Sequence, residues 1–286
     1  MIEVVAPGPR TLVEDLGRPG WAQYGVGPSG AYDRGALRLA NRLVGNREDA
    51  AALEALGGGL ALRALAATVV AVAGADGPVG VTGSDGVTRF VGRRAPVHLG
   101  AGETIALGHP TAGLRSYVAV RGGLAVRRTF GSASTDTLSG IGPGPLEAGD
   151  RLPSGSEVVA HPHVDHAPPR PSDGPLRVLP GPRDDWFDHG ALDLLLAATW
   201  TVTPQSDRVG VRLDGPPLTR RLGRAELPSE PVVTGALQGP PDGRPVLLGP
   251  DRPTTGGYPV IGVVVDADLD RAAQLRPGDT VRFRLT

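Results

Sequence analysis

The chain contains no cysteine and no lysine. Without cysteine there are no disulfides, no thiolate nucleophile and no cysteine-based zinc or iron–sulfur centre, a composition that suits a reducing compartment. Without lysine, all 29 basic residues are arginine, and three chemistries fall away. Covalent biotin has no lysine to carry it, a Walker-type phosphate loop lacks its lysine, and Schiff-base catalysis has no amine. The net charge of −1 gives no global field to attract nucleic acid or an anionic membrane. No apolar run approaches the roughly 18 residues of a membrane span. The segment Ile2–Ala6 reads at once as a strand, not as a basic-then-apolar signal region. The expectation is a soluble, cytoplasmic protein.

At 286 residues the chain can bury a substantial core, roughly 75% of its unfolded surface. Its 43 glycines and 29 prolines are scattered at element boundaries, as punctuation between short strands. Strands are predicted over Thr68–Ala73, Val79–Thr82, Val87–Val91, Thr104–Leu107, Leu114–Val120, Gly210–Leu213, Val232–Leu237, Pro245–Leu248, Tyr258–Val265 and Thr280–Leu285. Helical spacing of apolar residues predicts one helix over Ala31–Val44, with Ser29 as its N-cap and Gly45 as its stop. A second is predicted over Trp186–Ala198, and a short turn of helix over Asp268–Gln274. Val5-Ala-Pro-Gly-Pro9 echoes Val178-Leu-Pro-Gly-Pro182, and Leu146-Glu-Ala-Gly-Asp150 echoes Leu275-Arg-Pro-Gly-Asp279. This repeated order suggests two related β-barrels, joined through the Pro- and His-rich stretch 153–175. Domains are expected at 1–165, with the helix near 31–44, and at 166–286.

Several segments carry candidate chemistry. Val260–Val265 is β-branched apart from Gly262, as in a core strand covered on both faces. Directly before it lie Asp251 and the turn Thr254, Thr255, Gly256, Gly257 and Tyr258. Paired glycines let backbone amides approach an anion or carbonyl, the threonines add hydroxyls, and the tyrosine adds a ring with a polar tip. Asp251 is the carboxylate candidate for acid–base work or for binding a substrate amide; otherwise it initiates a turn. Asp15, Arg18, Asp33 and Arg34 form a charged set around Gly25-Val-Gly-Pro-Ser-Gly30. Arg–carboxylate forks are its structural reading; in the functional one, Arg18 or Arg34 holds a substrate carboxylate. Ser206 and Arg208, in Ser206-Asp-Arg208, repeat that theme. If the two halves face each other, these sets and the turn would line one cleft. The glycine pattern fits G-x-G-x-x-G but lacks alternating strands and helices, so it reads as a helix-positioning loop and not as a dinucleotide site. The amides at that helix start could face an anion. His161-Pro-His-Val-Asp-His166 has metal-ligand composition. It lies in the linker, where ligands lack supporting groups, and no native metal is expected. No G-x-S-x-G elbow is present.

Asp15-Leu-Gly-Arg-Pro-Gly20, Gly25-Val-Gly-Pro-Ser-Gly-Ala-Tyr-Asp-Arg34, Ala40-Asn-Arg-Leu-Val-Gly-Asn46, Arg121-Gly-Gly123, Gly235-Ala-Leu-Gln238 and the Asp251–Leu269 stretch occur in one order from end to end. In this the chain resembles the biotin-dependent carboxyltransferase-like family, which contains the C subunits of 5-oxoprolinases and proteins of the second allophanate-hydrolase subunit type. The resemblance implies a mainly β fold of two tandem cyclophilin-like β-barrels with a few short helices. It implies a component of an ATP-dependent 5-oxoprolinase complex that hydrolyses 5-oxo-L-proline to L-glutamate and is active only with the B and A subunits. ATP would be used by the complex at a site on another chain. Asp251 would then be catalytic, with Arg18, Ser29, Asp33, Arg34, Ser206, Arg208, Gln238 and Thr254–Tyr258 binding substrate. The family pattern often has glutamine where this chain has Pro253, which offers neither donor nor acceptor on its side chain. Two other functions fit the same resemblance. One is a carboxyltransferase module that works with a separate biotin carrier on a urea- or guanidine-like substrate. The other is a non-catalytic regulator that binds a kinase-inhibitor partner.

Overall fold

The structure, a computed structural model, describes residues 1–161, 166–169, 174–221 and 227–286. Its chain divides into two units. The first holds Met1–Arg18, Ser29–Asp136 and Gly140–Arg170; the second holds Pro19–Pro28, Thr137–Ser139 and Pro171–Thr286.

Two antiparallel sheets build the first unit. One has six strands in the order Arg151–Leu152, Ile2–Pro7, Leu60–Ala64, Thr104–Leu107, Val79–Thr82, Thr88–Phe90. The other has five, in the order Arg10–Glu14, Ala52–Leu56, Ala112–Val120, Thr68–Asp76, Pro96–Leu99. Side chains alternate across a strand, and here the two faces differ in size. Leu53, Val70, Val72, Val118 and Val120 join Ile2, Val4, Leu62, Val81 and Ile105 in a core fed by both sheets. Their neighbours Ala52, Ala71, Ala73, Tyr117 and Ala119 face the other way, against helix α1 (Arg34–Leu43). Alanines on that face let the helix pack closely. Leu37 and Leu43 of α1 are fully buried there, each contributing about 1.5–3 kcal/mol.

The second unit is organised by an eight-stranded sheet. Its order is Thr280–Val281, Trp200–Val202, Gly210–Asp214, Val246–Leu248, Ala236–Gln238, Val260–Val264, Leu176–Pro180, Phe283–Leu285. The first and last strands are separated in sequence by Arg282 alone. One C-terminal segment therefore pairs with Trp200–Val202 at one end and, in parallel, with Leu176–Pro180 at the other. That closes the sheet on itself and leaves it little free edge. Val260–Val264 lies between two partners, as expected for a core strand, with Val260, Ile261 and Val264 buried. The mainly β class expected from the sequence is the observed one.

The helices differ from expectation in their ends. The spacing predicts a helix from Ala31 capped by Ser29; instead α1 starts at Arg34 and Asp33 caps it, its Oδ1 accepting from the Ala36 amide at 2.7 Å. Ser29 adopts a φ of 48° and so lies outside the cap geometry. The predicted helix Trp186–Ala198 is interrupted: a 3₁₀ turn spans Asp184–Trp186, and α2 spans Ala191–Ala197. Gly190, at φ 86°, reverses the chain between them. Helix α3 covers Asp266–Ala272, two residues earlier than predicted. Of the predicted strand Val232–Leu237 only Ala236 and Leu237 are extended, within Ala236–Gln238, which begins after Gly235 at φ 91°; a separate short strand lies just upstream at Glu230–Pro231. Among the described residues, no helix is long and apolar enough to cross a membrane.

Candidate functional site

In the first unit the polar residues converge on Ser132–Asp136, a buried run that leaves the protein surface at Gly131. Strand Arg10–Glu14 delivers Asp15 to it. The Asp15 carboxylate accepts from the Ser132 hydroxyl at 2.5 Å, the Ser134 hydroxyl at 2.6 Å, the Ala133 amide at 2.7 Å and the Gly17 amide at 2.8 Å. Arg128 approaches it at 3.4 Å. Thr135 is tied to strand Arg10–Glu14 through its amide, which donates to the Val13 carbonyl at 3.0 Å. The Ser29 hydroxyl donates to the Thr135 carbonyl, also at 3.0 Å. Beside it, the Ala31 amide donates to the Asp15 carbonyl at 2.9 Å.

Arg18 is the unbalanced member. It is 2% exposed, yet among the described residues its side chain bonds only from Nη2 to the Ser134 carbonyl. Its Nε and Nη1 have no acceptor among those residues. The expected fork between Asp15 and Arg18 is absent from them too: Asp15 is occupied by serines and amides, and Arg18 has only a carbonyl. A guanidinium withdrawn from water without an anion is costly by several kcal/mol, and the two unused nitrogens are donors of the kind that an oxyanion accepts from. Arg34, half-buried, opens α1, while Asp33 fills the helix N-terminus.

A second buried network fixes the entry to α1. Glu54 takes the Tyr117 hydroxyl at 2.6 Å and the Tyr32 amide at 3.0 Å, and the Asp33 amide donates to the Tyr117 oxygen at 2.8 Å. Arg115 lies 3.5 Å from Glu54 and 4.6 Å from the centre of the Tyr32 ring. Burial first, and then the Glu54 charge, push the Tyr117 phenol well above its ordinary value, so Tyr117 stays protonated and donates.

In the second unit, Asp251 and Arg208 form a buried pair. Arg208 donates from Nε at 2.8 Å and from Nη2 at 3.0 Å, and Asp251 also takes the Thr137 amide at 2.9 Å and the Thr137 hydroxyl at 2.7 Å. Burial pushes the Asp251 carboxyl up, but the Arg208 charge and the bonds from Arg208 and Thr137 outweigh it and hold the group below its ordinary value. Three of these donors meet Oδ2 and one meets Oδ1, so the group is held as a carboxylate. Ser206 ties its own turn, its hydroxyl receiving the Arg212 amide at 3.0 Å.

The Thr254–Tyr258 turn is partly structural. Thr255 and Gly256 pair with Pro231 and Glu230 in a two-stranded ribbon, which uses part of the backbone that the two glycines were expected to offer a ligand. The Thr254 carbonyl accepts from the Val232 amide at 3.1 Å. Thr255, Gly257 and Tyr258 remain exposed. Gln238, 6% exposed, donates to the Tyr258 carbonyl at 3.2 Å, and Arg220 sits 5.5 Å from the Tyr258 ring centre. Arg252, beside Asp251, has only the Pro253 carbonyl as an acceptor among the described residues, at 2.9 Å.

Sequence reasoning missed Ser132, Ser134, Thr137 and Arg252. A signal existed for the first three: Ser132-Ala-Ser-Thr-Asp-Thr137 is a dense run of hydroxyls and a carboxylate between two glycines. It lacks strand or helix periodicity, so nothing marked it as buried. Of the His161–His166 cluster, residues 162–165 lie outside the described residues. Among the described residues, no group of three or more histidine, aspartate or glutamate side chains is placed to hold a metal.

A mainly β protein with buried arginine–hydroxyl clusters, one charge-saturated and one not, is the class these observations define. The chain belongs to the carboxyltransferase domain family, subdomains A and B, which matches residues 24–285. It is 37% identical to the C subunit of 5-oxoprolinase from Escherichia coli K12, over 99% of this chain and 90% of that one. The solved structure of TTHA0988 superposes with a TM-score of 0.85 at 36% identity, covering 99% of this chain and 55% of that one. The K. lactis urea amidolyase superposes with a TM-score of 0.87 at 32% identity, covering 99% of this chain and 18% of that one. The chain thus spans about half of one solved relative and under a fifth of the other.

Proposed function

We propose that this chain is the C subunit of an ATP-dependent 5-oxoprolinase, which opens the lactam of 5-oxo-L-proline to L-glutamate together with the A and B subunits. The 37% identity to a protein of that name over nearly the full chain supports the reading. The observation that carries it at the level of chemistry is Arg18, a buried cation with two unused donors. The substrate bears one carboxylate, and charge-assisted bonds to Arg18 would hold it while the Asp15–serine network keeps the arginine's carbonyl partner in place. Asp251 serves in this reading by fixing Thr137 and Arg208.

A lactam is a poor electrophile, so the complex consumes ATP. This chain's residues do not fit a nucleotide at α1, because the Asp33 carboxylate already occupies that N-terminus and would repel a phosphate. In our reading ATP binds on a partner subunit.

The test is reconstitution. The full set of subunits should release glutamate from 5-oxoproline only with ATP, and Arg18→Gln should lose that release while the complex still assembles. An intact wild-type assembly that releases no glutamate would overturn the proposal. The family match and the likeness to urea amidolyase favour a second reading, a carboxyltransferase module acting on a urea- or guanidine-like amine. Lacking lysine, this chain would need a separate biotin carrier. Carboxylation of urea by the chain plus a carboxybiotin-loaded carrier, without glutamate release from the full set, would select it.

A further inference from the structure

A cleft of about 720 Å³ opens in the first unit at the edge strand Pro96–Leu99, and none of the residues of the Arg18 and Asp251 clusters lines it. Three segments meet there. Thr68 and Val69 pair with Leu99 and His98, and the Arg121 amide donates to the Val69 carbonyl at 2.8 Å. Arg121 belongs to the Arg121-Gly-Gly123 motif, which the Arg18 position does not use. Its Nη1 donates to two carbonyls, Val44 at 2.7 Å and Ala160 at 3.3 Å. Neither is a counter-ion, and Nε and Nη2 have no acceptor among the described residues.

The rest of the polar lining is the Thr68 hydroxyl, the His98 imidazole, and the Ser154 hydroxyl with the Met1 amino group that donates to it at 3.1 Å, and it holds no carboxylate. Glu103, on the same hairpin as Gly100, is already engaged by the Gly100 amide at 2.7 Å and by Arg89 at 2.9 Å. The cleft therefore presents an arginine with unused donors, hydroxyl groups and no competing negative charge. That combination recognises a small oxyanion.

We infer that this cleft is a binding site for a small organic anion carrying a phosphate or carboxylate group, held by Arg121 and separate from the Arg18 position. It shares no residue with the Asp15–Arg18–Ser134 cluster.

The full chain is titrated with inorganic phosphate and, separately, with succinate at constant ionic strength, and followed by calorimetry and by the shift in Tm, since a ligand that binds only the folded state raises Tm saturably. Saturable binding of either probe is expected; phosphate alone or succinate alone would tell the two anion chemistries apart. Arg121→Gln should weaken binding at least tenfold. Because Arg121 also holds Val44 and Ala160, a second variant is needed: Thr68→Glu places a carboxylate in the lining, leaves those bonds intact, and should weaken binding as much at unchanged ligand-free Tm. Absence of saturable binding by both probes would overturn the site. So would binding that survives both variants, or binding lost in Arg18→Met but kept in Arg121→Gln. A failure here leaves the 5-oxoprolinase reading untouched, since that rests on Arg18 and glutamate release.

Discussion

Arg18 and Arg208 are 2% and 3% exposed, equally removed from water, and their surroundings are opposite. Arg208 faces a carboxylate that it meets through two nitrogens. Arg18 faces one carbonyl and, among the described residues, keeps two nitrogens unused. Burial alone therefore does not distinguish a structural cation from a binding one. The count of donors against acceptors does. Where charge and bonds balance, the arginine is satisfied within the fold; where they do not, as at Arg18, we propose that it takes an anion.

The largest effect expected from breaking this contrast is at the balanced pair. Arg208→Met leaves Asp251 buried without its counter-ion, which should lower unfolding free energy by about 3–5 kcal/mol in urea titration. Loss below about 1 kcal/mol, the scale of an exposed pair, would mean that the pair is not held as described. The pH profile sharpens the point. Asp251 has a depressed value in the folded state, so its contribution is present above the unfolded carboxylate value, about pH 3.9, and is lost as pH falls through the folded value. In Arg208→Met the depression disappears, so stability should fall less steeply between about pH 5 and 2 than in the wild type.

Next in size is the backbone contact beneath Arg18. Gly30 has φ 94°, and a Cβ there would lie 2.7 Å from the Gly17 nitrogen and 2.9 Å from its Cα. Backbone cannot turn aside, so Gly30→Ala should cost about 1–3 kcal/mol and loosen the loop that carries Arg18. Denaturation with an unchanged midpoint would show that the two loops are not in register there.

Arg18→Met is the sharpest comparison with Arg208→Met, because the chemical change is identical. Removing a buried cation that has no anion among the described residues should leave stability unchanged or raise it by roughly 1 kcal/mol, while under the proposed function glutamate release by the reconstituted complex falls at least a hundredfold. A loss of stability like that of Arg208→Met would assign Arg18 to the fold instead.

The sequence made the β architecture legible because its signals are local. Val70 and Val72 alternating with Ala71 and Ala73 announce a strand with two different faces, and Gly235 and Gly190 mark where elements break once a positive φ is seen. The strand Val260–Val264 was readable from composition alone. Partners of the charged residues were not readable. Asp15 and Ser134 are 119 positions apart, as are Asp251 and Thr137 by 114, and no short-range pattern encodes which of several carboxylates a given arginine meets. Asp15, Arg18, Asp33 and Arg34 are close in sequence, so they read as one network; the fold instead gives Asp15 to serines and Asp33 to a helix end.

The smallest expected effect lies at the other glycine of interest, Gly256. A Cβ there would fall 2.5 Å from Gln238 Nε2, but that atom ends a flexible side chain. Gln238 can swing away at the cost of its 3.2 Å bond to the Tyr258 carbonyl, about 0.5–1.5 kcal/mol. Gly256 does not need a positive φ, so replacing it also reduces the freedom of the unfolded chain, which stabilises by about 0.4–1 kcal/mol. The two terms nearly cancel, and Gly256→Ala should change unfolding free energy by less than about 1 kcal/mol. Gly30→Ala and Gly256→Ala thus separate a loop braced by backbone from a ribbon braced by a movable side chain. A cost at Gly256 as large as at Gly30 would show that Gln238 is locked, and that the turn bearing Tyr258 is as rigid as the loop bearing Arg18.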